Sequence, residues 1–223
     1  MPPAGPALPL LYQDDRLVVV AKPPGMLSVA TPGAQGSSVP EALARAGIQA
    51  LPVHRLDRDV SGALLLALDE DTRAGLEDAF RERAIEKTYW ALAQGRVRPA
   101  EGALRFPILE SGSFARVSAR GKPSTTRYRT LESLPQTTAV EIDLVTGRYN
   151  QIRVHFAHAG FPLVGERKYA RGKDSPVRIR SRRVALHSWR LAFVHPRTGE
   201  KLSVEAPLPA DLVDLVARAS RRT

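Results

Sequence analysis

The chain has 223 residues, 43% hydrophobic and 25% charged, which suits one large or two small soluble domains with a substantial core. It contains no cysteine, which excludes disulfides, thiolate catalysis and cysteine-bound zinc and fits a reducing cytoplasm. Its net charge of +10, carried mostly by arginine, points to a nucleic-acid partner, and no apolar run reaches the roughly 18–20 residues of a membrane span.

Residues 1–13 read as a flexible arm, because Met1-Pro2-Pro3-Ala4-Gly5-Pro6 lacks the basic start and continuous apolar centre of a signal peptide. Residues 14–223 read as a single domain with no long linker. Arg16 to Lys22 is an apolar strand stopped by the turn Pro23-Pro24-Gly25. A loop rich in Gly, Ser and Pro runs from Ser28 to Ser38, and a short helix follows from Val39 to Ala46 with Pro40 in its first turn.

The next segment, His54-Arg55-Leu56-Asp57-Arg58-Asp59-Val60-Ser61-Gly62, concentrates charge in front of Ala63-Leu64-Leu65-Leu66-Ala67-Leu68, which is apolar on both faces. A charged loop at the mouth of a buried strand is where chemistry tends to sit, so Asp57 is the first candidate for a working carboxylate. The alternative is a turn whose ions pair with each other.

Asp69 to Arg83 has helical spacing, with Leu76, Ala79 and Phe80 on one face and acidic residues at its start. Lys87 to Val97 alternates like a strand, and further strands are expected near 103–109, 113–118, 124–132 and 138–145. Gly147 to Gly160 reads as a helix on which Tyr149, Ile152, Arg153 and Phe156 share a face. That places Arg153 on the apolar side, where it requires an anionic partner, and Asp57 is the natural nominee.

The basic residues cluster from 167 to 183, bordered by Tyr169 and Trp189, in the manner of a surface that tracks a nucleic-acid backbone. Val184 to Val194 and Lys201 to Glu205 read as a hairpin turning at Pro196-Arg197-Thr198-Gly199. Pro209 starts a last helix with Leu212, Val213, Leu215 and Val216 on its apolar side. The element order implies an α+β fold with a mixed, largely antiparallel sheet core and flanking helices.

These motifs together resemble the RNA pseudouridine synthases of the RluA type, and the resemblance covers nearly the whole chain. Asp14-Asp15-Arg16-Leu17 with Lys22-Pro23-Pro24-Gly25 is similar to that family's first motif, and His54-Arg55-Leu56-Asp57 with Ser61-Gly62 to its catalytic motif. Lys87-Thr88-Tyr89 resembles the strand that supplies the active-site tyrosine. Gly147-Arg148 with Gln151-Ile152-Arg153-Val154-His155 resembles the third motif, followed by Pro162, Gly165 and Tyr169. Leu186-His187, His195-Pro196 and Ala206-Pro207-Leu208-Pro209 resemble the C-terminal segment.

The resemblance implies a pseudouridine synthase fold around a central RNA-binding cleft, without the S4-type RNA-binding domain that many relatives carry. It also implies isomerisation of a uridine already built into rRNA or tRNA, with no cofactor and no metal, by a cytoplasmic and monomeric enzyme. Asp57, Tyr89 and Arg153 take the catalytic positions. Whether Asp57 attacks the ribose or removes a sugar proton to give a glycal stays open. Arg55 matches the residue that fills the stack vacated by the flipped base. His54, Arg148, Gln151, Lys168, Arg182 and Arg183 join it as RNA-facing residues, and His54 also reads as a structural hydrogen-bonding group rather than a general base.

Asp59 reads as a surface ion, and His155 with His158 lacks the further ligand a metal needs. Val60, Tyr149-Asn150 and Glu166 depart from the family pattern at positions expected to flank the cleft. Two rival classes are a non-catalytic RNA-binding protein of the same fold and a carboxylate-dependent hydrolase. The hydrolase would need a spaced pair of carboxylates, and Asp57 with Asp59 should point apart on an extended loop.

Overall fold

Two strands without a polar interruption set the core of the first half of the chain. In the computed structural model, which describes residues 8–30, 33, 36–170 and 179–221, β1 (Leu10–Gln13) and β2 (Leu17–Lys22) precede α1 (Val39–Arg45) and β3 (Leu51–Pro52). Then come β4 (Ser61–Ala67), α2 (Glu70–Arg81), β5 (Glu86–Gln94), β6 (Glu101–Leu104), β7 (Ile108–Ser111) and β8 (Phe114–Val117). The chain continues through β9 (Thr126–Ser133), β10 (Thr137–Leu144), α3 (Gln151–His158), β11 (Leu186–Val194), β12 (Lys201–Glu205) and α4 (Ala210–Ser220). The sheet structure is mostly antiparallel. The chain gathers into two compact units, Met1–Glu86 with Ser188–Pro207 and Lys87–His187 with Leu208–Thr223.

In the first unit the strand order is β1-β2-β4-β11, with β3 on β4 and β12 on β11. All seven residues of β4 are buried, as the unbroken apolar run requires. Alternate residues of β2 and β4, namely Leu17, Val19, Ala63 and Leu65, meet Leu191 and Phe193 of β11, and α2 lays Leu76, Ala79 and Phe80 on the same cluster.

Both helices of this unit start where their sequences say they should. Ser38 and Glu41 form a reciprocal capping box on α1, with Pro40 in its first turn. Asp69 caps α2 by accepting the Thr72 N–H at 2.8 Å. Asp14 accepts the backbone N–H of Arg16 and Leu17 and the Tyr12 hydroxyl, and lies 3.0 Å from His195 Nε2. The Tyr12 phenol, donating to that carboxylate, is pushed up to about 12.

The second unit is built on the order β5-β10-β9-β6. The β7–β8 hairpin forms its own two-stranded sheet and packs Ile108 and Ala115 against Val154 of α3 and Tyr169. His155 is fully buried beneath it, with Nε2 at 2.9 Å from the Phe106 carbonyl, and burial holds its imidazole below the usual histidine range.

The structure revises four details of the sequence reading. Leu10–Gln13 is not part of an arm but a strand paired with β2; residues 1–7 lie outside the described residues. The single strand expected over 103–109 is two, β6 and β7, interrupted at Pro107, which has no N–H for a ladder. The helix expected from Gly147 begins at Gln151, because Asn150 adopts φ 53°, ψ 25°, a left-handed conformation outside a helix. Val213 is 50% exposed, and the buried face of α4 is Leu212, Leu215 and Ala219.

Gly62, next to the charged loop, sits at φ +118°, and a Cβ there would lie 2.1 Å from the Ser188 carbonyl oxygen. Gly25 also has positive φ, +84°, but a Cβ there would meet nothing within 4 Å. Gly62→Ala is therefore expected to cost roughly 3 kcal/mol or more and Gly25→Ala about 1 kcal/mol, since the second carries backbone strain without overlap. Urea unfolding of both variants checks this, and equal losses would contradict it.

Candidate active site

Asp57 is carried by a loop that is clamped on both flanks. On one side the Ser28 hydroxyl donates to the Leu56 carbonyl and accepts the Leu56 N–H, both at 2.9 Å, and Ser28 and Leu56 are buried. On the other side the Arg58 carbonyl accepts from Gly25 N–H at 2.8 Å and from Lys22 Nζ at 3.1 Å. The Arg58 side chain donates back to the Gly25 carbonyl at 3.0 Å. Val60 N–H closes the turn onto the Asp57 carbonyl at 3.0 Å.

Lys22 is 1% exposed. Its ammonium donates to the carbonyls of Pro23, Met26 and Arg58 at 3.1, 2.8 and 3.1 Å. Three carbonyl oxygens saturate an ammonium's three donors, and this makes burial of the charge tolerable. His54 is tied inward as well. Its Nε2 accepts the Leu65 N–H at 2.9 Å, and its ring lies 4.6 Å from that of Phe80. That is the structural hydrogen-bonding role; the imidazole holds β4 rather than offering its acceptor to RNA. Arg55, by contrast, is exposed, with no hydrogen bond or ion pair among the described residues.

In the second unit, Tyr89 stands on β5 opposite Ile142 of β10 and is 7% exposed. Arg153 projects from α3, its side chain 15% exposed, and is gripped by Glu166, whose side chain is 0% exposed. Arg153 Nε donates to one Glu166 oxygen at 2.6 Å and Nη2 to the other at 2.9 Å, while Nη1 reaches Asn150 Oδ1 at 3.4 Å. The same carboxylate accepts the backbone N–H of Lys168 and Tyr169 at 2.7 and 3.1 Å.

Burial alone would raise the Glu166 pKa. The Arg153 hydrogen bonds and charge, with the two backbone N–H groups, outweigh it and hold the carboxyl below the usual range. The pair is fixed from the other end too, because Asn150 Nδ2 donates to the Tyr169 hydroxyl at 2.7 Å and Arg153 stacks 5.4 Å from the Tyr169 ring. Within the second unit, Glu166 is thus one anion that the half-buried Arg153 demands. Glu166 and Asn150, which depart from the family pattern, both hold Arg153.

Of three other residues expected to face RNA, Gln151 and Arg183 are buried, while exposed Lys168 also makes a tertiary contact. Gln151 is 2% exposed. Its Oε1 accepts from the Thr146 hydroxyl and Arg148 N–H at 2.7 and 3.1 Å, and its Nε2 donates to the Thr125 carbonyl and Thr126 hydroxyl at 3.0 and 2.9 Å. With the amide saturated, Gln151 knots the start of α3 to β9. Arg183 is 8% exposed and bidentate to Asp211 at 2.7 and 3.0 Å. The Lys168 ammonium donates to the Ser113 carbonyl and lies 5.0, 5.5 and 5.7 Å from the ring centroids of Tyr149, Tyr169 and Phe114. It thus tethers the β7–β8 turn.

Arg182 is exposed as expected, and the Arg148 guanidinium buries an Nε without a hydrogen-bond partner among the described residues. Residues 171–178 of the basic stretch lie outside the described residues. Motif reading places Lys22 in the first motif and Glu166 among the departures from the family pattern, without the structural contacts that each makes. The signal for Lys22 was its place in β2, in phase with the inward-facing Val18 and Val20.

Lys22→Met keeps the apolar stem but strands the Pro23 and Met26 carbonyl oxygens, while the Arg58 carbonyl keeps the Gly25 N–H. It is expected to cost about 2–4 kcal/mol in urea unfolding. A loss under about 0.5 kcal/mol would show that the carbonyl cage does not hold the loop.

The comparisons with known proteins agree with this arrangement. Residues 16–158 match the family described as RNA pseudouridylate synthase. The chain is 37% identical over 210 residues to ribosomal large subunit pseudouridine synthase C of Vibrio cholerae, covering 91% of this chain and 66% of that protein. It is also 37% identical over 214 residues to the dual-specificity RNA pseudouridine synthase RluA of Pasteurella multocida, covering 92% and 95% of the two chains. The solved structure of human RNA pseudouridylate synthase domain containing 1 superimposes with a TM-score of 0.78 at 25% identity, over 100% of this chain and 98% of that one. The motif order, the fold and these matches converge: the chain belongs to the RNA pseudouridylate synthase family, isomerases that act on RNA.

Proposed function

We propose that the chain converts one uridine of a structured RNA to pseudouridine, with Asp57, Tyr89 and Arg153 as its catalytic residues. The observation that carries this reading is the clamping of the Asp57 loop. Ser28 and Lys22 fix the backbone on both flanks of a carboxylate that is itself only half-buried. A preorganised, accessible carboxylate is what attack on a sugar requires.

The reaction exchanges one bond for another. The bond from N1 to C1′ breaks, the uracil turns, and a bond from C5 to C1′ forms. C5 gives up its proton and N1 ends protonated, so atoms balance without an oxidant, reductant or co-substrate. Asp57 serves either by attacking C1′ or by removing a sugar proton to form a glycal; both routes need its ionised form. Arg153, held flat by Glu166, stabilises that ionised form. Tyr89 stacks on the uracil and takes the C5 proton, which a phenol of ordinary pKa near 10 does only with help from its surroundings.

The target base is unreachable inside a stack, so it must be flipped out, and exposed Arg55 offers a guanidinium plane to fill the gap. A stem-loop of rRNA or tRNA lowers the cost of flipping because its bases are partly unstacked. The names of the similar Vibrio and Pasteurella proteins, one ribosomal and one of dual specificity, support that substrate class. Action as a monomer in the cytoplasm completes the proposal. Among the described residues no helix is long and apolar enough to cross a membrane.

Asp57→Asn is expected to lower isomerisation by at least about a thousandfold while RNA affinity changes little. Release of tritium from RNA labelled at uridine C5, with filter binding of the same RNA, measures both. Wild-type turnover in the Asn variant would overturn the mechanism.

A further inference from the structure

A cavity of about 510 Å3 opens in the second unit between residues 180–182 and α4. Its charged lining is Arg180, Arg182, Arg218 and Arg221, with Asp211 and Asp214. The two walls are locked together by Arg183, whose guanidinium spans from Asp211 at the start of α4 to the carbonyls of Val184 and Leu186 at 3.4 and 3.3 Å. The Ser181 hydroxyl donates to the Arg183 carbonyl at 2.7 Å and fixes the turn that carries Arg180 and Arg182.

The charge balance decides what this cavity accepts. Asp211 is already neutralised by Arg183, whose hydrogen bonds hold its carboxyl below the usual range. Among the described residues none of the four lining arginines has a carboxylate within ion-pair distance. Four guanidinium groups therefore face one remaining carboxylate, Asp214. Guanidinium forks match phosphate oxygens in pairs, and the volume suits a phosphate with its adjoining ribose. A bilayer surface fits less well, because Leu212, Leu215 and Ala219 of α4 are buried and Val213 is its one large apolar side chain that is mostly exposed.

We propose that this cavity is a phosphate-binding site for the RNA backbone, indifferent to base sequence and distinct in chemistry from the residues that handle the target uridine. The inference rests on the reading of the chain as acting on RNA. It extends that reading by assigning α4, through Arg218 and Arg221, to substrate capture.

The test uses a fluorescent oligoadenylate, which contains no uridine and so binds without being isomerised, with affinity followed across salt concentrations. Arg218→Ala with Arg221→Ala is expected to weaken binding about tenfold at low salt and to reduce the salt slope by about 1, as for loss of one to two phosphate contacts on a single strand. Asp214→Asn should tighten binding and leave the fold untouched. Unchanged affinity and slope in both variants would overturn the proposal. So would failure of oligoadenylate to bind the wild type, or binding to phosphatidylserine vesicles alone. A protein that captures oligoadenylate here but isomerises no uridine would refute the proposed function and leave this site standing.

Discussion

The buried ion pair between Arg153 and Glu166 is the constraint around which the second unit is organised. A carboxylate with no exposed surface is costly to desolvate, and here four hydrogen bonds offset the cost, two from the guanidinium and two from the backbone of Lys168 and Tyr169. Removing Arg153 would leave the Glu166 carboxylate buried without its counter-charge, a loss of about 3–5 kcal/mol. Because the pairing is bidentate, it fixes the plane of the guanidinium as well as its position. Asn150 and Tyr169 then brace that plane from the other side, which explains why Asn150 is held in a left-handed conformation at the mouth of α3.

The first unit solves the matching problem differently. Three backbone carbonyls hold the Lys22 ammonium, and Ser28 supplies a neutral clamp on the opposite flank. The contrast has a chemical logic. A loop that presents a reactive carboxylate is best held through backbone groups, which fix geometry without consuming the side chain. A supporting arginine is best held by a second carboxylate, which fixes its orientation.

Much of this was legible in the sequence. The apolar runs of β2 and β4, the helix with Pro40 in its first turn, the acidic start of α2, and the order of motifs report local forces and survive intact. What could not be read was the use to which polar residues of the later motifs are put. Gln151, Arg183 and Lys168 look like RNA contacts in a basic chain, yet each is spent on tertiary partners more than ten residues away in sequence: Thr125 and Thr126, Asp211, and Ser113. The burial of Gln151 and Arg183 depends on packing that no periodicity reveals. Glu166 was visible only as a departure from a pattern, because its partner lies thirteen residues upstream on α3. Arg182, one position from the buried Arg183, stayed on the surface, as an alternating segment allows.

The central claim is that Glu166 serves the reaction through Arg153 and not in its own right. Single-turnover rates for Glu166→Gln, Arg153→Lys and the double variant test it most directly, with near-ultraviolet circular dichroism confirming that each is folded. If Glu166 acts by orienting Arg153, the double variant will be about as slow as Arg153→Lys alone, because the orienting group has nothing left to orient. If instead the two losses multiply, the residues act independently and the account of the site is wrong.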